Sequence, residues 1–471
     1  MNADTDEFQK KVFCIINSID FCFNQKLIHK RSDFTPEYLY LFSSILRPIL
    51  ENSNISLDKS LYEFLSKILL NEDQEHPELN EKKCVNRIRK HLLIGNQIEF
   101  RCLLLSQVIY ILKLLEITLE DPLSMVQEKL NFSNKQFSRI KECVDNPACI
   151  KDKNLLSYYK PYLSFLNSLA TYNSLPIVNV GVCAIMSAGK SSFINALLGY
   201  DYLPVRNEAT TAHITSVYDN DNSQKLIGFT KHNNELKNIG NNLLEKDVNS
   251  WNADTDVSHI YLQGDLDNIS NKGLIVSVHD TPGTNNSIDD SHHQITMDFL
   301  KTNKVNLLIF VADTTHLSTN DEQSLLKEIY ETVISKQKIK PIFVLNKADC
   351  IDNEKESLEI IIENYRTFLS NIGFLDAKIL PVSAKAARLF KMAIKGKGDK
   401  FTESENDVFP SLLRKFNKRL FLDTRENIEL NNSSITLDGE TYELNEIYTA
   451  LIHTGIKKVE EEIEKTLRGE N

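Results

Sequence analysis

One stretch of this chain, residues 177–198, constrains its fold more than any other. It reads IVNVGVCAIMSAGKSSFINALL, which is an apolar run of strand length, a short loop and an amphipathic helical segment. The loop from Ala184 to Ser191 follows the phosphate-loop spacing G-x-x-x-x-G-K-[ST], except that Ala184 stands at the first glycine position. Such a loop wraps backbone N–H groups around a polyphosphate at a helix N-terminus. The stretch therefore predicts a nucleotide site, and the alternative is a chance strand–turn–helix.

Within this loop, each side chain has a predicted task. Lys190 is expected to reach the β- and γ-phosphates, Ser191 to bind Mg²⁺ through its hydroxyl, and Gly189 to let the backbone approach closely. The residues predicted to contact the nucleotide here are Met186, Ser187, Ala188, Gly189, Lys190, Ser191 and Ser192.

A second motif follows the apolar run 274–278. In the sequence His279-Asp280-Thr281-Pro282-Gly283, a carboxylate at a strand end suits Mg²⁺, and the Gly283 N–H suits a γ-phosphate. Asp280 is therefore predicted to bind the metal. The neighbouring His279 is interpreted as an ordinary histidine at the edge of the core in preference to a general base.

Two further motifs predict recognition of a guanine base. Asn346-Lys347-Ala348-Asp349 follows the apolar run 341–345, and the Asp349 carboxylate is expected to accept hydrogen bonds from guanine N1 and N2. Adenine offers no such pair of donors. Asn346 would fix the base and the loop, the stem of Lys347 would cover the ring, and the backbone of Ser383-Ala384-Lys385 would meet guanine O6. Together with the first two motifs, this order indicates a GTPase.

A switch segment is expected between the first two motifs. Its threonine has to meet Mg²⁺ and the γ-phosphate, and Thr211 and Thr210 are both possible. Two threonines that simply open an edge strand are the alternative.

The pattern along the chain predicts an α/β fold. Residues 1–172 repeat apolar residues at helical spacing, with helices expected near 36–52, 57–70, 80–119, 123–144 and 153–170. Residues 173–471 alternate strands with helices, which is typical of a mainly parallel sheet. Strands are predicted near 177–184, 213–219, 225–230, 257–263, 273–279, 305–312, 340–346 and 377–381. Helices are predicted near 190–199, 320–335, 354–370, 384–395, 408–420 and 443–467. Residues 233–256 are expected to form a surface excursion and 395–407 a mobile loop.

Composition excludes several classes of protein. The formal net charge of −11 argues against nucleic-acid binding as the main activity. The eight cysteines form no C-x-x-C pair, which favours free thiols in the cytoplasm. Residues 103–119 contain Lys113 and Glu116 and are read as a buried helix, not a membrane span. Lys83, Arg87 and Lys90 share a helical face that suits anionic lipid or phosphate, although a solvated face is favoured.

The motifs and their surroundings resemble the dynamin superfamily, particularly bacterial dynamin-like proteins. The resemblance covers roughly residues 175–469 and rests on SAGKSS with FINALLG, on Leu203-Pro204 with Thr211 seven residues after Pro204, and on NKADCID. It also rests on Val311-Ala312-Asp313 before Leu317 and on the segment from Thr454 to Gly469. Residues 1–172 show no motif of the family.

The resemblance implies a P-loop GTPase domain with an all-helical N-terminal domain and a C-terminal helix. It implies Mg²⁺, GTP and GDP as ligands, pairing of two G domains in a homodimer or with a related GTPase, and peripheral contact with the inner face of a membrane. It also implies a bound monovalent cation in place of an arginine finger, and Asp352 contacting the opposite subunit. Thr211, Ser187, Lys190 and Gly283 are the expected catalytic residues, and Ser191, Thr211 and Asp280 the metal ligands. A monomeric Era-like GTPase and a GTP-gated scaffold with little turnover are the alternatives.

Overall fold

The structure of the protein is a computed structural model, which describes most of the chain outside the segment 25–97. The described residues are 3–24, 98–114, 120–129, 133–149, 153–205, 213–223, 225–232, 235–283, 290–302, 305–337, 339–351, 357–418 and 433–469. The predicted helices near 36–52 and 57–70 and the basic face of Lys83, Arg87 and Lys90 lie outside them.

Helices occupy both ends of the chain and alternate with strands between them. They are α1 (Ala3–Asn24), α2 (Ile98–Leu114), α3 (Glu120–Lys129), α4 (Asn134–Asp145), α5 (Lys153–Ser174), α6 (Lys190–Leu198), α7 (Glu245–Asn252), α8 (Asp290–Thr302), α9 (Asn320–Ile329), α10 (Leu358–Ile372), α11 (Ala384–Ile394), α12 (Glu403–Lys418), α13 (Leu444–His453) and α14 (Ile456–Arg468). A π-helical turn, Tyr330–Ile334, and an α-helical turn, Ser335–Gln337, continue α9.

The strands begin after α5. They are β1 (Ile177–Cys183), β2 (Ile214–Asp219), β3 (Ile227–His232), β4 (Glu235–Gly240), β5 (His259–Gly264), β6 (Ile275–Asp280), β7 (Val305–Asp313), β8 (Pro341–Asn346), β9 (Lys378–Pro381), β10 (Ser434–Leu437) and β11 (Glu440–Glu443).

The chain forms two compact units. One comprises residues 2–175 with residues 227–242, and therefore contains α1–α5 and the antiparallel pair β3 and β4. In this unit the ammonium group of Lys10 donates to the carbonyls of Asn173 and Leu175, at 2.8 and 2.9 Å. A cation at this place satisfies carbonyls that a helix end leaves unpaired. In α2, Leu105, Val108 and Leu112 are buried, which confirms the prediction of a core helix.

The other unit, residues 176–226 and 243–471, is built on a mixed, mainly parallel sheet. Its strands follow the order β5-β2-β6-β1-β7-β8-β9, and all neighbours run parallel except the antiparallel pair β2 and β6. This confirms the predicted fold class. Buried runs such as Leu307–Ala312 are apolar throughout because a parallel sheet is covered on both faces.

Two apolar layers cover this sheet. Phe193 and Leu197 of α6, Phe390 of α11 and Phe416 of α12 belong to one layer. The second layer is formed by α8, α9 and α10, with side chains that include Leu300, Leu326 and Leu369. The sheet is thereby fixed with the carboxyl ends of β1, β6 and β8 at one edge, where the predicted nucleotide motifs follow.

The sequence predictions were wrong in several segments between and after the motifs. The expected surface excursion 233–256 contains β4 and α7, and α8 was not predicted. The expected mobile loop 395–407 holds a 3₁₀ turn, Gly398–Lys400, and the first turn of α12. The single helix expected over 443–467 is divided into α13 and α14, because Gly455 adopts a left-handed conformation with φ +83°. The domain boundary expected at residues 172 and 173 stays a prediction.

No helix in the described ranges combines the length and the apolar character needed to cross a bilayer.

Candidate nucleotide site

The loop between β1 and α6 has the backbone geometry of an anion-binding turn. Gly189, the residue before α6, has φ +86°, and Ser187 has φ +64°. Left-handed backbone is costly for a residue with a side chain and concentrates at functional sites. A Cβ on Gly189 would also collide with the side-chain amide of Asn346. Two constraints, one conformational and one steric, therefore require glycine at position 189.

Two residues of this loop and helix bond to one buried carboxylate. The Lys190 ammonium and the Ser191 hydroxyl both donate to Asp280 at the end of β6, the hydroxyl at 2.8 Å. Lys190 and Asp280 are 7% and 1% exposed. A buried charge needs a partner, and the protein alone supplies it through this ion pair. The two elements predicted to bind phosphate and metal thus converge on one point.

The segment after β6 is fixed against the same loop. Thr281 donates its hydroxyl hydrogen to the carbonyl of Val182 in β1, at 2.9 Å. A Cβ on Gly283 would lie 3.5 Å from the Cα of Met186. The backbone of Gly283 therefore faces the phosphate loop, as a contact with a γ-phosphate requires.

Three of the candidate site residues lie outside the described part of the chain. Thr210 and Thr211 are two of them, so the choice between them for the switch threonine stays open. Asp352, expected to contact a second subunit, is the third.

Asn346, at the end of β8, joins the predicted phosphate loop to the loops predicted to bind the base. Its side-chain nitrogen donates to the carbonyl of Ala188 at 3.0 Å, and its side-chain oxygen accepts from the backbone N–H of Ala384 at 3.1 Å. One buried amide thus uses both its donor and its acceptor to span two loops. The sequence analysis had assigned Asn346 to the base and its own loop, but not to the phosphate loop.

Asp349 and Ser383 lie side by side. The Ser383 hydroxyl donates to one Asp349 carboxylate oxygen at 2.6 Å and accepts from the backbone N–H of Ala386 at 3.2 Å, so it also caps α11. Among the described residues, the second Asp349 oxygen accepts only a weak contact from the Cys350 thiol, at 3.7 Å. Lys385 is exposed. The motifs at the ends of β8 and β9 are therefore assembled into one surface.

Asp313, at the end of β7, fixes the lysine of the base motif. Lys347 has a left-handed backbone, with φ +62°, and its ammonium lies 2.6 Å from an Asp313 carboxylate oxygen. Burial acts to raise the pKa of Asp313, but hydrogen bonds from Lys347 and Thr315 outweigh it and hold the pKa below its usual range. No role in the site was predicted for the Asp313 carboxylate, because the contact joins residues on different strands.

His279 points into the sheet and not toward the loops. Its Nδ1 lies 2.7 Å from the Ser216 hydroxyl, its Nε2 lies 2.9 Å from the Asn179 amide oxygen, and the same hydroxyl lies 2.7 Å from Nε2 of His259. Because the Asn179 oxygen only accepts, His279 carries its proton on Nε2 and accepts from Ser216. Burial lowers the pKa of His279 to about 3. His279 is therefore a neutral group inside the protein, in agreement with its interpretation from the sequence as an ordinary core-edge histidine.

This low pKa predicts a loss of stability in acid. An unfolded histidine has a pKa of about 6.5, so the unfolded chain takes up a proton below that pH while the folded chain does not. We expect His279 to contribute a loss of about 1.4 kcal/mol per pH unit as the pH falls below 6.5. Denaturant unfolding, followed by the fluorescence of the single tryptophan, Trp251, measures this slope. His279→Gln should flatten it, whereas His316→Gln, at an exposed site, should not. If the free energy of unfolding depended equally on pH in the wild type and in both variants, the low pKa of His279 would be contradicted.

A comparison with known protein families agrees with these motifs. Residues 180–348 match the model of the dynamin family. No curated protein matches the chain. Two structures of an oligomerised bacterial dynamin pair, described as a mechanism for long-range sensing and tethering of membranes, are similar at 18% and 17% identity, with TM-scores of 0.35 and 0.36. They cover 82% and 80% of this chain, which spans 58% and 67% of theirs.

A structure of Era with MgGDPNP and part of 16S ribosomal RNA is similar at 17% identity and a TM-score of 0.27, over 54% of this chain and 70% of that one. The likeness of this chain to the dynamin family rests on the matched residues 180–348.

Proposed function

We propose that this chain is a GTPase of the dynamin family, whose model matches residues 180–348, that it binds and hydrolyses GTP with Mg²⁺, and that pairing of two G domains controls its turnover. The observation that carries the proposal is the convergence of Lys190 and Ser191 on Asp280. An ammonium, a hydroxyl and a carboxylate beside a helix N-terminus suit a metal-bound polyphosphate.

The oxygen atoms present fit the expected metal. Ser191 and Asp280 offer a hydroxyl and a carboxylate 2.8 Å apart, and such hard donors suit Mg²⁺. Bound Mg²⁺ neutralises charge on the β- and γ-phosphates. Thr211 is the proposed further metal ligand. With GTP bound, the Lys190 ammonium would bond to the phosphates in place of Asp280, and the Asp280 carboxylate would be free to hold the metal together with Ser191.

The base is proposed to bind where Asp349 and Ser383 meet. The Asp349 oxygen that does not accept from Ser383 faces no strong donor among the described residues, so it is ready to accept from guanine. Asp313 holds the Lys347 ammonium to one side, which places the apolar stem of Lys347 to cover a ring. Ser383, Ala384 and Lys385 supply the backbone beside guanine O6.

A feature of Met186 supports control by pairing. Its side chain is apolar and 38% exposed, and it lies beside Gly283 at the γ-phosphate end of the site. A thioether does not orient water for attack on a phosphate. We infer that the loop backbone and Ser187 orient the water only when a second G domain covers the site, with Asp352 contacting that domain and a monovalent cation balancing the developing charge.

Turnover measured across protein concentration tests this proposal. We expect GTP hydrolysis per molecule to rise as protein concentration increases a hundredfold, because pairing completes the site. Asp352→Ala should reduce this rise and leave GTP affinity within about threefold of wild type. Asp399→Ala, a change at an exposed aspartate 65% accessible, serves as the matched control.

The two alternatives predict other results. A monomeric Era-like GTPase keeps the same turnover at every concentration, and a GTP-gated scaffold binds GTP but scarcely hydrolyses it. Constant turnover, together with no larger species in the presence of a GTP transition-state mimic, would exclude control by pairing.

The proposal also covers the domains and the location of the protein. Residues 1–172 are proposed to form a helical domain and residues 173–471 the G domain. The protein is proposed to be bacterial and cytoplasmic, and to touch the inner face of a membrane.

A further inference from the structure

Lys415, a residue outside the nucleotide motifs, contacts the backbone of the guanine-binding loop. It lies near the end of α12, and its ammonium donates to the carbonyls of Asp349 and Ile351, the latter at 3.1 Å. We propose that Lys415 is a positioning residue for guanine recognition. The inference rests on the proposed function, since it concerns how Asp349 is held for the base.

One of the two carbonyls belongs to Asp349 itself, within the turn, and the other to Ile351, which follows the turn. Residues Ala348–Cys350 form a single 3₁₀ turn between β8 and the segment 352–356. The backbone–backbone bonds described at this turn are Ala348 N–H to the Val382 carbonyl at 3.1 Å and Cys350 N–H to the Lys347 carbonyl at 2.9 Å. Among the described residues, the Lys415 ammonium is the side-chain group that bonds to the backbone carbonyls of Asp349 and Ile351.

The helix that carries Lys415 is itself fixed. Its neighbours Leu412 and Phe416 are buried in the apolar layer with α11 and α13. Nδ1 of His453, at the end of α13, donates to the Phe416 carbonyl at 2.6 Å. The ammonium thus extends from a rigid base, which a positioning group requires.

The same C-terminal region holds the second base-binding loop. The backbone N–H of Ser383 donates to the Thr454 carbonyl at 3.0 Å, next to His453. Asp349 is therefore supported from two directions. Lys415 holds its backbone, and Ser383, itself fixed to Thr454, holds its side chain at 2.6 Å.

Such support affects recognition of the base more than binding of the phosphates. A carboxylate that accepts two hydrogen bonds from guanine has to be placed within about 0.5 Å. Lys190 and Ser191 lie on another loop and do not depend on this turn. Loss of the Lys415 contact should therefore weaken the preference for guanine and leave phosphate binding nearly intact.

The experiment compares binding of GTP with binding of inosine triphosphate, which lacks the 2-amino group that Asp349 is proposed to read. In Lys415→Met we expect GTP affinity to fall about tenfold and inosine triphosphate affinity to change less than threefold. Lys415→Arg should keep most of the preference, because a guanidinium also donates to carbonyls. Lys418→Met, at an exposed lysine in the same last turn, should match wild type.

Three outcomes separate the explanations. A wild-type protein that does not prefer GTP over inosine triphosphate would refute the proposed base site itself. A wild-type preference that persists unchanged in folded Lys415→Met would refute only the role of Lys415. A loss of affinity for both nucleotides by the same factor would also refute it, since general damage to the fold predicts that result.

A measurement on the wild-type protein covers the case in which Lys415→Met does not fold. Amine labelling followed by mass spectrometry reports how freely each lysine reacts. Lys415 should react more slowly than Lys418, and GTP should slow it further because the bound base rigidifies the turn. Equal labelling of the two lysines with and without GTP would show that the contact is absent in solution.

Discussion

Lys190→Ala is expected to lower GTP affinity by at least a hundredfold. The Lys190 ammonium is the one side-chain cation that the described phosphate loop and the first turn of α6 offer a phosphate, since their other contacts are backbone N–H groups and hydroxyls. Loss of a charge-assisted hydrogen bond in a buried site costs about 3 kcal/mol, which corresponds to that factor. Calorimetric titration with GTP and Mg²⁺ measures the change.

A matched control separates this effect from a loss of stability. Removing Lys190 also leaves Asp280, which is 1% exposed, without its cation, and an unpaired buried charge is destabilising. Lys190→Ala with Asp280→Asn removes the charge pair and should restore stability without restoring GTP binding. Lys378→Ala disrupts an exposed ion pair with Glu462 and should leave affinity unchanged. Undiminished affinity in a folded Lys190→Ala protein would refute the phosphate-loop assignment.

Asp349→Asn is expected to change the preferred base from guanine to xanthine. The amide oxygen of the new side chain can still accept from Ser383, as the Asp349 oxygen does at 2.6 Å, so the amide nitrogen takes the place of the oxygen that faces the base. That nitrogen donates, and xanthine has a carbonyl where guanine has an amino group. GTP affinity should fall about a hundredfold and affinity for xanthosine triphosphate should rise by a similar factor.

Competition of the two nucleotides for one labelled nucleotide measures this exchange. Asp376→Asn is a suitable control, because Asp376 lies in a turn before β9, away from the carboxyl ends of the strands, and its φ of +56° suits asparagine. The assignment of the base site would fail if the wild-type protein bound ATP as tightly as GTP. It would also fail if Asp349→Asn lost GTP without gaining xanthosine triphosphate.

The sequence predicted those elements of the candidate site that lie close together along the chain. The phosphate loop follows from the spacing of Gly189, Lys190 and Ser191, and β6 and β8 follow from apolar runs that end at Asp280 and Asn346. A local pattern is enough in each case, because the strand places the motif that comes directly after it.

The sequence did not predict contacts between distant segments. Asn346 bonds to a carbonyl 158 residues away and Lys415 to one 66 residues away, and no local pattern encodes either pair. The helix α7 was also missed because its sequence, EKDVNSWN, is mostly polar, although α7 buries Val248. Local helix propensity predicts such a helix poorly, because one buried apolar residue per turn is enough to hold it against the sheet.

The polar row through Asn179, His279, Ser216 and His259 also bears on how faithfully this sheet folds. These residues lie on β1, β6, β2 and β5, so one hydrogen-bonded row crosses strands joined side by side. An alignment error that keeps apolar faces inside shifts a strand by two residues, or about 6.6 Å. A shift of β6 would leave several of these groups without partners, at about 1–3 kcal/mol each. An apolar row would tolerate such an error, whereas this row makes the misaligned sheet too unstable to persist.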